Sequence, residues 1–370
     1  MNASHSPHYS TLTDAVDGLG TIPSIADPAI FKNATVDQHR RPLNDLRISV
    51  IDRCNFRCPY CMPGEEGGHQ YHFLKKEEWL TFEEIRKLTQ VFVNLGVSKV
   101  RITGGEPLLR ENLPSLIEKI RSIKGVSDLA LTTNGIFLKN HAKSLRDAGL
   151  SRITISLDTL DENTFRVMSG GKGELTQVLE GITAAQQCGF GNLKINAVIQ
   201  RNLNDKNILQ LAEYFRGTKH IIRFIEYMDV GNQNGWRCDL VVPSAQVLKI
   251  IDERFPLEAM EPNYQGEVAA RYRYKDGQGE IGFISSITQP FCGTCTRARL
   301  STDGKFYTCL FAGSGLDLRS QLRRGATEQE LLQAISNTWK NRSDRYSEER
   351  FTLSQKNFHS KKVEMYQIGG

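Results

Sequence analysis

No stretch of the 370 residues approaches the uninterrupted apolar length that a membrane-spanning helix requires. The first twenty residues, MNASHSPHYSTLTDAVDGLG, hold neither Lys nor Arg and no apolar block. A secretory signal is therefore not expected, and Asp14 and Asp17 argue against an organelle transit peptide. Internal repeats and low-complexity tracts are also missing. Charge of one sign is scarce: 47 Lys and Arg face 42 Asp and Glu, a formal net charge of +5 with no basic tail. That mild excess suits an anionic ligand and falls short of a nucleic-acid-binding signature. The expectations are a cytoplasmic protein with no membrane and no nucleic-acid partner. Composition is otherwise ordinary, 39% hydrophobic and 24% charged, enough for one large domain or a large and a small one.

What the chain does have is eight cysteines. In a cytosolic protein of this size, spaced cysteines indicate metal or redox chemistry before disulfides. Residues 1–40 are small and polar without a sustained period, and read as a loosely ordered extension. From Asp45 onward, β-branched runs alternate with amphipathic stretches. The runs are 46–51, 99–104, 129–134, 152–157, 194–199 and 221–226, and each reads as a buried parallel strand, nearly continuous in apolar residues. The clearest helix starts at Thr81 with Glu84 completing a capping box, and Gly96 ends it. Others are expected at about 112–124, 139–148, 174–188 and 205–216. Six such alternations predict an α/β fold, a parallel β/α barrel or an open doubly wound sheet. After Asn232 the pattern breaks at Pro243, Pro256 and Pro262, and YRYKDGQGEIGFIS reads as a hairpin turning at DGQG. A core at 41–264 and a smaller unit at 265–370 are expected.

Cys54, Cys58 and Cys61 form C-x3-C-x2-C directly after the first strand, and Cys292, Cys295 and Cys309 form C-x2-C-x13-C in the second unit. Neither triad has a fourth cysteine nearby. An iron–sulfur cube held by protein alone takes four thiolates, so three leave one iron open; structural zinc wants a closed tetrahedron. For the second triad, zinc, packed thiols and a cluster all stay open. For the first, CNFRCPYC at the carboxyl end of a barrel strand, with an aromatic before the last cysteine, resembles the radical S-adenosylmethionine superfamily. Cys188 and Cys238 stand alone and read as packed thiols.

The second strand ends in TGGEP, residues 103–107, where Gly105 permits close backbone approach and Glu106 can accept from an ammonium. Alone this could be a plain turn; beside the cysteine loop it resembles the superfamily's binder of the methionine amino group. Thr132, Ser156, Lys194, Asn196 and Met228 also fall at or near strand ends, Met228 where it could rest on an adenine. Arg47, Arg101 and Lys194 put charge into strands expected to be covered on both faces. Turned inward, they make a cationic patch for a polyphosphate; at strand edges they would reach for water. Arg297 and Arg299 alternate and can share one strand face.

From Leu46 to Gly370 the chain resembles the GTP 3′,8-cyclases of molybdenum cofactor biosynthesis. The resemblance rests on RISVIDRCNFRCPYCMP, TGGEPLLR, LTTNG, ISLD, KINAVI, FIEYM, FCGTCTRARLSTDGK, YTCLF and the terminal Gly369–Gly370. It implies a partial (β/α)6-type TIM barrel with a small C-terminal α+β cluster-binding unit. It implies a lyase with two [4Fe-4S] clusters, on Cys54, Cys58 and Cys61 and on Cys292, Cys295 and Cys309. The first would reduce S-adenosylmethionine to a 5′-deoxyadenosyl radical that takes hydrogen from the ribose C3′ of GTP. The C3′ carbon would then bond guanine C8, giving (8S)-3′,8-cyclo-7,8-dihydroguanosine 5′-triphosphate, with the guanine held at the second cluster's open iron. The resemblance puts Tyr60, Gly105, Glu106, Ser156 and Met228 on S-adenosylmethionine. It puts Arg47, Arg101, Thr132, Lys194, Arg297 and Arg299 on GTP, with Arg297 and Arg299 in the catalytic set. Partners so implied are a flavodoxin or ferredoxin as reductant, a cyclic pyranopterin monophosphate synthase downstream, and a second copy in a homodimer. The Gly-Gly end would enter the active site, although by sequence alone it reads as a frayed terminus. The rival readings are a peptide-maturing enzyme of the same superfamily and a zinc-stabilised binding protein.

Overall fold

The computed structural model describes residues 35–64, 71–355 and 361–370. The expected extension lies, for residues 1–34, outside the described residues. Residues 35–40 are held: Thr35 N donates to the Leu95 carbonyl at 3.0 Å, and Asp37 is buried in an ion pair with Arg41 at 2.6 Å.

Six strands alternate with helices: β1 (Asp45–Ser49), α1 (Phe82–Asn94), β2 (Lys99–Thr103), α2 (Leu113–Arg121), β3 (Asp128–Thr133), α3 (Leu138–Asp147), β4 (Arg152–Ser156), α4 (Glu162–Met168), α5 (Leu175–Gln187), β5 (Lys194–Ile199), α6 (Ile208–Phe215) and β6 (Ile221–Glu226). At α1 the capping box forms: Glu84 N donates to Thr81 Oγ1 at 3.1 Å and Thr81 N to the Glu84 carboxylate at 2.7 Å. The sequence reading omitted α4, a helix too short to show a period; Asp161 caps it by accepting from Thr164 N at 2.8 Å. There follow α7 (Ser244–Arg254), β7 (Leu257–Met260), β8 (Ala270–Tyr274), β9 (Glu280–Ile284), β10 (Arg297–Leu300), β11 (Lys305–Tyr307), β12 (Leu316–Asp317), α8 (Leu318–Arg323), α9 (Glu328–Lys340), α10 (Tyr346–Gln355) and α11 (Met365–Ile368). The DGQG hairpin is β8–β9, paired antiparallel.

Among the described residues the twelve strands form one sheet, ordered β12-β11-β10-β1-β2-β3-β4-β5-β6-β9-β8-β7. The run from β10 to β9 is parallel throughout. Six β/α strands are thus flanked on each side by one parallel strand from residues 265–370. This is the partial barrel expected, widened by two strands that no repeat announced. Because β9 and β10 are consecutive in the chain but occupy opposite rims, residues 285–296 cross from one rim to the other, carrying Cys292 and Cys295.

The strands are less uniformly apolar than the sequence reading had them. Leu46, Ile48, Val100, Ile102, Leu129, Leu131, Ile153, Ile155, Ile195, Ala197, Ile222 and Phe224 join the helices in one core. The alternate positions include Asp45, Arg47, Lys99, Arg101, Thr132, Arg152, Thr154, Ser156, Lys194, Asn196 and Arg223, with Ala130, Val198, Ile221 and Ile225 as the apolar exceptions. Successive strand residues face opposite ways, so the second set lies on the inner face of the partial barrel. Parallel strands usually bury both faces. Here one face is largely polar, which suits a lined cavity and not a packed barrel centre.

Candidate active site

The first cysteine triad lies on the loop leaving β1. The end of β2 grips this loop: Gly105 N donates to the Ile51 carbonyl at 2.8 Å, and Glu106 N to that of Arg53 at 2.9 Å. A Cβ on Gly105 would overlap the Arg53 carbonyl, and one on Gly104 would lie 2.6 Å from that of Ile51. The close backbone approach that these glycines permit is, in the structure, approach to the cysteine loop. The Glu106 carboxylate accepts from Leu108 N at 2.9 Å, Thr133 Oγ1 at 2.8 Å and Asn134 N at 2.8 Å. Burial pushes its pKa up to about 7 against those three donors. Its contacts brace the strand ends.

Tyr60 donates its hydroxyl to Asp158 Oδ2 at 2.7 Å, and Val198 N donates to the other oxygen of Asp158 at 2.8 Å. Arg57 donates to the carbonyls of Cys54 and Phe56, each at 2.9 Å. Burial, with the neighbouring Glu106, pushes the Cys54 thiol up to about 12. The Cys58 thiol is raised by burial and then by Cys54 and Cys61, which marks the three thiols as neighbours. Phe56 N points at Cys54 Sγ from 3.4 Å. Ser156, at the end of β4, and Met228, after β6, are both half-buried.

Register assembles the cations. Arg47 on β1 stands beside Arg299 on β10 and Arg101 on β2. One step toward the N-terminal ends of the strands, Asp45 stands between Arg297 and Lys99. Thr132, Thr154 and Lys194 form a row across β3, β4 and β5. Arg101 Nη1 donates to Thr132 Oγ1 at 3.0 Å and Thr154 Oγ1 at 3.1 Å. Burial, then the charges of Arg299, Arg101 and Arg297, hold the Arg47 guanidinium well below its ordinary range. Burial, Arg223 and Arg152 bring Lys194 down to about 8. Like charges so gathered leave the band short of negative charge, a condition that an anion relieves. Arg152 and Arg223 complete the band, and the sequence reading missed them. Both carry the signal used for Arg47, a charge inside a parallel strand. Arg152 is paired with Asp128, and Arg223 donates to Asn196 Oδ1 at 2.9 and 2.7 Å.

The second triad is held from behind. Arg41 Nη1 donates to the Cys292 carbonyl at 2.9 Å, and Arg342 Nη1 to that of Cys295 at 2.8 Å. Burial alone would raise the Cys295 thiol; the charges of Arg297 and Arg342 outweigh it and bring the group down to about 6. Burial and Asp344 push Cys309 up to about 12. No local signal could have named Arg41 and Arg342, which lie far from the triad in the chain. Arg297 sits with its guanidinium 5.0 Å from the Phe291 ring.

The terminus is docked, not frayed. Ile368 is fully buried, Arg299 Nη1 donates to the Gly369 carbonyl, and Thr103 Oγ1 lies 3.4 Å from the Gly370 carbonyl. Gly369 has φ 71°, and a Cβ there would overlap Thr103. The structure therefore brings Arg47, Arg101, Thr132, Lys194, Arg297 and Arg299 to one inner face, with the Gly-Gly end against Arg299.

Among the described residues no group of three or more His, Cys, Asp or Glu is arranged to hold a single metal ion. That bears on a mononuclear site, where ligands close on one centre; a cube spreads its thiolates around a larger body. Three neighbouring thiols of the first triad, with the Phe56 N–H aimed at Cys54 Sγ, fit a cluster that leaves one iron open. Among the described residues no helix is long and apolar enough to cross a membrane.

A family model described as the radical SAM superfamily matches residues 48–215, and one described as Molybdenum Cofactor Synthesis C matches 220–348. The chain is 53% identical over 334 residues to the GTP 3′,8-cyclase of Xanthomonas campestris pv. campestris strain B100, covering 90% of this chain and 97% of the relative. It is 47% identical over 341 residues to the GTP 3′,8-cyclase of Staphylococcus epidermidis strain ATCC 35984, covering 92% and 100%. Among solved structures, Streptococcus suis SuiB bound to precursor peptide SuiA superposes with a TM-score of 0.54 at 15% identity, over 86% of this chain and 71% of that one; this likeness concerns the fold alone. With near-complete coverage on both sides, the chain belongs to the GTP 3′,8-cyclase family, which joins a radical S-adenosylmethionine domain to a molybdenum cofactor synthesis C-terminal domain.

Proposed function

We propose that this protein cyclises GTP to (8S)-3′,8-cyclo-7,8-dihydroguanosine 5′-triphosphate, the first step of molybdenum cofactor biosynthesis, in the cytoplasm. The observation that carries the reading is the register of Arg299, Arg47 and Arg101 on three adjacent parallel strands. Several cations on one polar face, with little counter-charge, suit a triphosphate through charge-assisted bonds. Cys54, Cys58 and Cys61 would hold one [4Fe-4S] cluster, and Cys292, Cys295 and Cys309 a second. When bound and reduced, the first supplies the electron that cleaves S-adenosylmethionine to methionine and a 5′-deoxyadenosyl radical.

The chain's own residues do the rest by placement. Tyr60, Gly105, Ser156 and Met228, around the cysteine loop, position S-adenosylmethionine, with Glu106 holding the strand ends that shape its pocket. Arg47, Arg101, Thr132, Lys194, Arg297 and Arg299 bind GTP, and Arg297 and Arg299 keep it next to the second triad. Fixing the triphosphate fixes the ribose, so that one hydrogen, at C3′, is presented for removal. The Gly369–Gly370 end fills space beside Arg299 that water would otherwise occupy. The division into a 41–264 core and a 265–370 unit belongs to this reading. So do a flavodoxin or ferredoxin as electron donor, delivery of product to a cyclic pyranopterin monophosphate synthase, and a homodimer.

The test is anaerobic reconstitution with iron and sulfide, reduction, and addition of S-adenosylmethionine with each nucleoside triphosphate in turn. 5′-Deoxyadenosine and a product convertible to a fluorescent pterin are expected with GTP only. 5′-Deoxyadenosine without a GTP-derived product would overturn the substrate assignment, and neither product from cluster-loaded protein would overturn the reaction.

A further inference from the structure

The terminal segment is fastened to the loop that follows β6, and the fastening is specific. The Asn232 carboxamide pairs with the backbone of Lys362 in both directions: Lys362 N donates to Oδ1 at 2.9 Å, and Nδ2 donates to the Lys362 carbonyl at 2.6 Å. The side chain thus serves Lys362 as a neighbouring strand would. Asn232 also reaches Glu364, with Nδ2 to Oε1 at 2.8 Å and its backbone N to the same oxygen at 3.1 Å. Gly231, at φ 64°, has no room for a side chain, because a Cβ would meet Glu364 Oε2. Lys362 Nζ adds an ion pair to Asp229 at 2.8 Å, and Asp229 is itself held by Arg350 at 2.8 Å.

Glu364 caps the start of α11, five residues before the Gly369 that meets Arg299. At its other end the same loop touches the cysteine segment: Asn234 Nδ2 donates to the Met228 carbonyl at 2.9 Å and to that of Tyr60 at 3.3 Å. Residues 229–234 therefore contact the first triad's segment, Met228 and the tail.

We infer that Gly231 and Asn232 form a latch that seats the C-terminal segment, and that the latch positions the Gly-Gly end while leaving S-adenosylmethionine binding to other residues. The inference rests on the proposed placement of that end in the GTP site. Asn232 and Gly231 are positioning residues: they touch the tail, not the reacting groups.

The test uses cluster-reconstituted full-length protein and its Asn232→Ala and Gly231→Ala variants. Release of terminal glycine by a carboxypeptidase is followed alongside the ratio of cyclised nucleotide to 5′-deoxyadenosine. Release is expected at least about tenfold faster in both variants, with the ratio falling several-fold and S-adenosylmethionine affinity within about twofold of wild type. Circular dichroism melting confirms that the variants are folded. Wild-type release rates in both folded variants would overturn the latch. A chain lacking Gly369 and Gly370 separates the two claims. Full coupling in that chain would remove the tail's role in the reaction, while faster release from Asn232→Ala would still uphold the latch.

Discussion

Arg299 on β10 donates a hydrogen bond to the carbonyl oxygen of Gly369, while its backbone stands in register with Arg47 on β1. One buried guanidinium thus serves the cation band and the terminus together. Arg299→Ala removes both contacts. A hydrogen bond to a charged group contributes about 1.5–3 kcal/mol, so KM for GTP is expected to rise roughly 10- to 100-fold, with S-adenosylmethionine affinity nearly unchanged. Steady-state kinetics against each substrate check this; equal loss for both would assign Arg299 to the fold alone.

Gly105→Ala forces a methyl group into the Arg53 carbonyl. The neighbour is backbone, so the cysteine loop itself must move. Overpacking of this kind costs about 1–3 kcal/mol. Iron retained after reconstitution and the rate of 5′-deoxyadenosine formation are both expected to fall. Wild-type values for both would show that the loop yields freely.

Lys194 makes GTP binding depend on pH. Burial first, then Arg223 and Arg152, bring it to about 8 in the free protein. A bound triphosphate favours the charged form and raises that value. Below about 8 the lysine is already protonated; above it, binding must take up a proton, so affinity falls as pH rises, by at most about tenfold per unit. Calorimetry in buffers of different ionisation enthalpy should detect proton uptake above pH 8, and Lys194→Met should abolish it.

Glu106→Gln tests brace against ligand. The carboxylate accepts from Leu108 N, Thr133 Oγ1 and Asn134 N, and an amide must turn an N–H toward one of those donors. One mispaired buried donor costs about 1–3 kcal/mol. The melting temperature of protein without S-adenosylmethionine is expected to drop by several degrees. An unchanged melt with weakened S-adenosylmethionine binding would assign Glu106 to the ligand instead.

The β/α alternation was legible because each strand and helix carries its own local pattern, down to the Thr81–Glu84 cap. Arg47, Arg101 and Lys194 were legible because a charge in a parallel strand needs an explanation. Arg152 and Arg223 carried the same mark and were passed over. The alternation in RITISL was visible too, yet its meaning, a polar inner face, depends on curvature that only the closed arc supplies. Three features had no local signature: β9 and β10 as rims, Arg41 and Arg342 behind the second triad, and the seating of Gly369. Each is a contact between segments far apart in sequence.

The crossing of residues 285–296 between opposite rims also sets an order of events during synthesis. β1 emerges early, but its partner on one side, β10, emerges some 250 residues later. Until then β1 offers an unpaired edge, and β6 does the same until β9 arrives. Such edges are templates for pairing with other chains, and pairings of long sequence separation form slowly. Folding of this enzyme is therefore most exposed to error just before the second triad leaves the ribosome. A released fragment ending near Thr288 should aggregate more readily than one ending past Leu300.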